Sequence, residues 1–141
     1  MATTVLLRSV GAGYTTQVTT RHHAFIADEP QPEGDNLGPS PYDLLLGALG
    51  ACTSMTLLMY ARRKNWPLEH VQVELTHDRE HVTDCENCEE DSGTLLDVVH
   101  RQIRLEGDLT PEQRERLKEI ARRCPVHRTL TASMKIVDEV E

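Results

Sequence analysis

The chain has 141 residues and a formal net charge of −8, a length that predicts one domain spanning residues 1–141. The acidity speaks against nonspecific binding to nucleic acid, whose phosphates call for Lys and Arg, and it favours solubility. The start, MATTVLLRSVGAG, has no basic region followed by a long apolar run, so no signal peptide is expected. Four cysteines without an export signal point to reduced, chemically active thiols in the cytoplasm rather than a disulfide framework.

Residues 4–27 alternate and are rich in Val, Thr and Tyr, which predicts two or three strands joined at Gly11–Gly13. ADEPQPEGDNLGPSP carries four prolines and two glycines and is expected to be a loop. A helix starts behind it. Ser40 can cap, Pro41 takes the first helical position, and Asp43 lies three residues past the cap. The helix is expected to run to about Lys64 and to stop before Trp66–Pro67. No charge occurs from Leu44 to Ala61, a run near the length of a membrane span. Gly47, Gly50, Thr53, Ser54 and Thr56 within it, and the polarity of the rest, favour a soluble helix buried on all sides and no membrane. A domain this small can hardly surround such a helix alone. A homodimer is therefore expected, with two of these helices packed through Gly47, Ala48, Gly50 and Ala51.

Residues 69–80 predict a strand with Val71, Val73 and Leu75 on one face. DCENCEEDSG is an acidic loop. A second strand is expected over 94–106, with Leu96, Val98, Ile103 and Leu105 as its apolar positions and imperfect alternation near His100. Thr110-Pro111-Glu112-Gln113 is a capping box that opens a second helix. Leu117, Ile120, Ala121 and Cys124 fall on one face of it, and Pro125 is expected to end it. A last strand is predicted at about Leu130–Val137. No internal repeat or domain linker is visible.

By pattern alone, Cys52 in the apolar helix and Cys124 on the second helix read more readily as small buried hydrophobes than as reactive groups. Thiol chemistry needs the thiolate, and the thiolate needs a positive neighbour. Cys52 lies about 16 Å from the start of its helix, beyond the reach of the helix dipole. The positive group must come from elsewhere. Cys85 and Cys88 form a Cys-x-x-Cys in DCENCEED, where five of eight residues are acidic. That setting disfavours a thioredoxin-like oxidant. His77, His81, Cys85 and Cys88 can supply four zinc ligands; a reversible disulfide and an inert exposed loop are the other readings. His127 is a turn histidine, a local base or an interface contact.

GPSPYDLLLGALGACTSMTL, followed about 70 residues later by CPVHRTL, resembles the OsmC/Ohr family of organic hydroperoxide reductases. The ADEP segment and the acidic Cys-x-x-Cys loop are similar to the OsmC-like branch. The resemblance covers nearly the whole chain. It implies an α+β fold in which an intertwined homodimer wraps antiparallel sheets around two central buried helices, with active sites at the interface. It also implies a peroxidatic cysteine at Cys52 and a resolving cysteine at Cys124, joined during turnover as a disulfide and regenerated by an external dithiol or lipoyl protein. No metal or organic cofactor is implied.

In the family an Arg and a Glu support the reactive thiolate. The Glu lies ten residues before the peroxidatic cysteine, and Tyr42 stands there in this chain. Asp43 is one position along and serves either as a support or as the capping acid. Arg21, between Arg8 and the helix, is nominated as the activating cation, with Arg128 as runner-up and a solvated surface charge as the plain reading of each. The leading expectation is a thiol peroxidase acting on hydroperoxides with an apolar tail. The alternatives are a non-catalytic small-molecule-binding protein and a metal-binding protein centred on the acidic loop.

Overall fold

A computed structural model describes residues 2–81 and 95–141. It is an α+β structure with three helices and two antiparallel sheets among the described residues. Its contacts group into two units, residues 1–45 and 46–141.

The first unit carries strands β1 (Leu6–Ser9), β2 (Thr16–Thr19) and β3 (Ala24–Ala27), paired antiparallel in the order β1-β2-β3. The predicted turn at Gly11–Gly13 separates the first two, and Gly11 adopts a φ of 75°. The Pro-rich segment behind β3 contains no helix or strand, yet it is organised around one buried carboxylate. Asp28 accepts hydrogen bonds from the N–H groups of Glu29 and Leu37, at 2.8 and 3.3 Å, and from the Thr15 hydroxyl at 3.1 Å. Burial alone would raise its pKa; these donors outweigh burial and hold it below the usual carboxylate value. Gly38 is obligatory there, because a Cβ would stand 1.9 Å from the Ile26 carbonyl oxygen.

Helix α1 (Pro41–Lys64) begins in this unit and continues into the second. Its start is the expected reciprocal cap. The Asp43 N–H donates to Ser40 Oγ at 3.2 Å, and the Ser40 N–H donates to Asp43 Oδ2 at 2.9 Å. At its end Asn65 turns into the left-handed region, with φ of 56°, and the Trp66 N–H donates to the Ala61 carbonyl.

In the second unit β4 (His70–His81) and β5 (Leu95–Glu106) pair antiparallel from His70↔Glu106 to His81↔Leu95. One face presents Val71, Val73 and Leu75 against Leu105, Ile103 and Arg101. The close approach of α1 is set at Gly50, where even a Cβ would lie 2.8 Å from Leu75 Cδ1. Helix α2 (Pro111–Ala121) starts at the predicted capping box, with the Gln113 N–H donating to Thr110 Oγ1 and the Thr110 N–H donating to Gln113 Oε1. Leu57 and Ala61 of α1 pack with Leu109, Leu117, Ile120 and Ala121, flanked by Tyr60, Trp66, Leu68, Val71, Ile103 and Leu105. Gly107, at φ of 141°, lets the turn after β5 pass so close to Pro67 that a Cβ would stand 2.0 Å from its carbonyl oxygen.

Two expectations need correction, while the imperfect alternation of β5 is visible in its register: Ile103 and Leu105 lie with Arg101 and Val99, whereas Leu96 and Val98 lie opposite. The break in alternation near His100 marks that change. Helix α2 ends at Ala121, and Pro125 opens a further helix, α3 (Pro125–Thr131), because Cys124 caps it and Pro fits its first position. The strand predicted at Leu130–Val137 is therefore absent. Its start is helical, and residues 132–141 are exposed without a ladder partner among the described residues. Within one chain α1 is not surrounded. Leu49, Gly50, Thr53, Leu57 and Ala61 form one buried stripe, while Met55 and Met59 stay exposed. Among the described residues α1 is the one helix long and apolar enough to cross a bilayer.

Candidate functional site

The site forms where α1, β5 and the α2–α3 junction meet in the second unit. Cys124 is fully buried, at 0% exposure, and completes the row Leu117, Ile120 and Ala121 that the helical spacing predicted. Its backbone leaves the helical region (φ −61°, ψ 136°), which turns the side chain back over the first turn of α3. There Cys124 Sγ accepts a hydrogen bond from the His127 N–H at 3.3 Å.

The α1 residue that meets this sulfur is Thr53. Its Oγ1 lies 4.0 Å from Cys124 Sγ and 2.7 Å from the Leu49 carbonyl oxygen, to which the hydroxyl donates. Arg101 Nη1 donates to the same Oγ1 at 2.9 Å. Thr53 is itself fully buried, so its oxygen is served by the protein alone. Cys52 precedes it in the helix and is half-buried; successive residues point about 100° apart around the axis. Both Cys52 and Cys124 are free thiols.

Arg101 was not singled out from the sequence. The signal was there: a basic residue on the β5 face that otherwise packs against α1, at the place where alternation falters. Next to it lies a cavity of about 370 Å³ lined by Leu49, Asp97, Val99, Arg101, His127, Leu130 and Thr131. Its rim is fixed by Asp97, whose Oδ1 is 2.8 Å from His77 Nε2 and 3.5 Å from Arg79 Nε. The bond to His77, with Arg79 adding to it, holds the Asp97 carboxyl below its usual value against the opposing effect of desolvation. The His127 imidazole is held below the ordinary histidine value by burial first, and then by the nearby Arg101 and Arg122 charges. Each of these effects favours its neutral form.

The other expected residues fall as follows. Arg21 is exposed in the turn between β2 and β3 of the first unit. Asp43 is engaged in the cap of α1. Arg128 is exposed on α3. Of the four residues weighed as zinc ligands, Cys85, Cys88 and the His81 side chain lie outside the described residues, and His77 is paired with Asp97. Among the described residues no group of three or more His, Cys, Asp or Glu side chains is placed to hold a metal ion.

Comparison with known proteins bears on the whole arrangement. No curated protein sequence matches. Several solved structures do. A Psychrobacter arcticus 273-4 protein named for osmotic stress induction and a detoxification response is 21% identical, with a TM-score of 0.70 over 92% of this chain and 88% of that one. An OsmC-like protein of Mycoplasma pneumoniae is 19% identical, with a TM-score of 0.66 over 92% and 85%. The organic hydroperoxide resistance protein OhrB of Bacillus subtilis is 18% identical, with a TM-score of 0.61 over 93% and 91%. At such identities the likeness establishes the fold. The family is given by sequence: the model described as OsmC-like protein matches residues 34–137, a stretch that holds α1, both strands of the hairpin and both thiols of the site, and the chain belongs to the OsmC-like family.

Proposed function

We propose that this protein is a cytoplasmic, thiol-dependent peroxidase that reduces organic hydroperoxides, and hydrogen peroxide less readily, with Cys52 as the attacking thiol and Cys124 as its resolving partner. The carrying observation is the contact of buried Cys124 with Thr53, the immediate neighbour of Cys52. Membership of the family supports it, as does the hydroperoxide resistance named for the similar Bacillus subtilis protein.

The chemistry balances without a cofactor. The Cys52 thiolate attacks the distal oxygen of the hydroperoxide, an S–O bond forms, the O–O bond breaks, and the alkoxide leaves as the alcohol after taking a proton. The Cys124 thiol then condenses with the sulfenic acid and expels water, giving a Cys52–Cys124 disulfide. An external dithiol or lipoyl protein reduces it by exchange. Leu49, Val99 and Leu130 on the cavity wall favour a substrate with an apolar tail. His127, whose neutral form is favoured by burial and by the nearby Arg101 and Arg122, can take up a proton released beside Cys124. Arg21 is retained as the cation proposed to act on Cys52. Asp43 is a weaker proposal, since its carboxylate is already used by the Ser40 cap.

A homodimer belongs to the same reading. An apolar helix of 24 residues buries one stripe within its own chain and leaves Met55 and Met59 about 60% exposed, a face that a second copy of the helix would cover. A second functional reading, a binding protein that keeps the fold without turnover, is favoured by Tyr42 at the position of the family's Glu.

Four outcomes are expected. Cys52→Ser should reduce consumption of cumene hydroperoxide, with dithiothreitol or lipoyl protein as reductant, to the rate without protein; Cys124→Ser should leave a sulfenic acid at Cys52 that dimedone traps. Unchanged turnover in Cys52→Ser would sink the mechanism, and no turnover in the unmodified protein would select the binding reading. Sedimentation at low micromolar concentration should show a dimer, and a stable monomer would contradict that part. Because the folded pKa of His127 lies below its unfolded value near 6.5, the unfolded chain binds the proton first as pH falls. Stability should therefore decline below about pH 6.5 and level off once the folded value is passed. In urea unfolding at about pH 7.5 and about pH 5.5, His127→Gln should show a smaller difference than the unmodified protein; an equal difference would contradict this assignment.

A further inference from the structure

The two sulfurs are treated unequally by the fold, and the inequality bears on regeneration rather than on peroxide attack. Cys124 is sealed from water, so any negative charge that develops on it must be met by protein donors. Two are in place: the His127 N–H at 3.3 Å, and the Thr53 hydroxyl at 4.0 Å. Thr53 has one proton and two claimants. In the dithiol structure that proton goes to the Leu49 carbonyl at 2.7 Å, an oxygen that also lies within the backbone ladder of α1. Arg101 Nη1 occupies a lone pair of Oγ1 at 2.9 Å and brings a full positive charge to the back of the hydroxyl. A rotation about the Cβ–Oγ1 bond redirects the proton to Cys124 Sγ as soon as charge appears there, since a hydrogen bond to an ion is about twice as strong as one between neutral groups. Among the described residues no hydrogen-bond donor of this kind meets Cys52. It lies in the interior of α1, where backbone N–H groups are spent on the helix, and it is half-buried rather than sealed.

We infer that Arg101 and Thr53 form a positioning pair that makes Cys124 the leaving sulfur of the Cys52–Cys124 disulfide, so that reductant attacks Cys52. This rests on the proposed thiol couple and deepens it. In the step, a thiolate of the reductant gives an electron pair to Cys52 Sγ and forms a mixed disulfide. The Cys52–Cys124 bond breaks, and its electron pair goes to Cys124, where the Thr53 hydroxyl and the His127 N–H receive it. The second thiol of the reductant then displaces Cys52. The dithiol is oxidised by two electrons, and its two protons end on Cys124 and Cys52. Stabilising the departing thiolate speeds exchange, because rates depend on the leaving sulfur as well as on the attacker.

The test uses full-length protein whose disulfide is made with diamide, so that it does not depend on peroxide chemistry. A monothiol is added, the mixture is quenched in acid, and the mixed disulfide is mapped by peptide mass. It should sit on Cys52. A mixed disulfide on Cys124, or failure of diamide to join the two cysteines, overturns the inference. Thr53→Val removes the hydroxyl at nearly constant shape. It should slow reduction by dithiothreitol about tenfold, the effect of one lost charge-assisted hydrogen bond. It should leave the potential of the couple unchanged, because both cysteines of the dithiol end protonated and Thr53 then donates to Leu49. Thr53→Ser should restore the rate to within about twofold, and Arg101→Gln should slow reduction in the same direction as Thr53→Val. Equal rates in Thr53→Val and the unmodified protein overturn the role of the pair. A protein whose disulfide behaves as expected with diamide but never forms with hydroperoxide would instead tell against the proposed peroxidase activity.

Discussion

The second unit depends on one buried hydroxyl. Thr53 Oγ1 receives Arg101 Nη1, gives its proton to Leu49, and faces Cys124 Sγ. Through this one atom α1 is registered against β5 and against the junction of α2 and α3. A threonine at full burial is tolerated because each of these contacts answers its polarity. An arginine on the inward face of a hairpin is tolerated because its head group has an acceptor and its aliphatic stem can pack. Neither residue is explained without the other, and both are explained by the sulfur beside them.

Around that atom the fold supplies close approach. Gly50 lets α1 settle on Leu75, whose Cδ1 would have to shift to admit even a Cβ there. The row Leu117, Ile120, Ala121 and Cys124 closes over Leu57 and Ala61 from the other side. Cys124 then sits at a place where the chain changes helices, which gives its sulfur a backbone N–H that no residue inside a helix can have. The two thiols thus differ in kind: Cys52 is presented by a rigid helix at partial exposure, and Cys124 is held by donors in a sealed position. A pair with that asymmetry suits a couple in which one sulfur meets external reagents and the other answers it.

Much of this was legible from residue order. Ser40-Pro41 and Thr110-Pro111 announced both long helices, because the chemistry of a helix start is local. The two hairpin strands followed from period-two patterning. What failed was whatever depended on a neighbour. The apolar tail after Thr131 reads as a strand, but a strand needs a ladder partner and the described chain offers none. Pro125 reads as a stop because a proline ends one helix as readily as it opens the next; only the backbone of Cys124 decides. Arg101 is hidden from residue order since a charge on an alternating strand defaults to solvent, and its inward role shows only once Thr53 is placed opposite. The order in the loop around Asp28 was equally hidden, because Pro and Gly content marks irregular backbone without saying whether it is packed.

The resemblance of the thiol motifs implies a chemical role for two residues that patterning alone leaves inert, and the geometry supplies a physical setting for the proposed couple. The central claim is that Cys52 and Cys124 close on one another when a hydroperoxide is reduced. One equivalent of cumene hydroperoxide, added to the fully reduced protein without reductant and followed by acid quench and peptide mass mapping, tests it most directly. The account predicts one Cys52–Cys124 cross-linked peptide and one molecule of cumyl alcohol per chain. Alcohol released with both cysteines still free, or a cross-link that leaves out either of them, would contradict it.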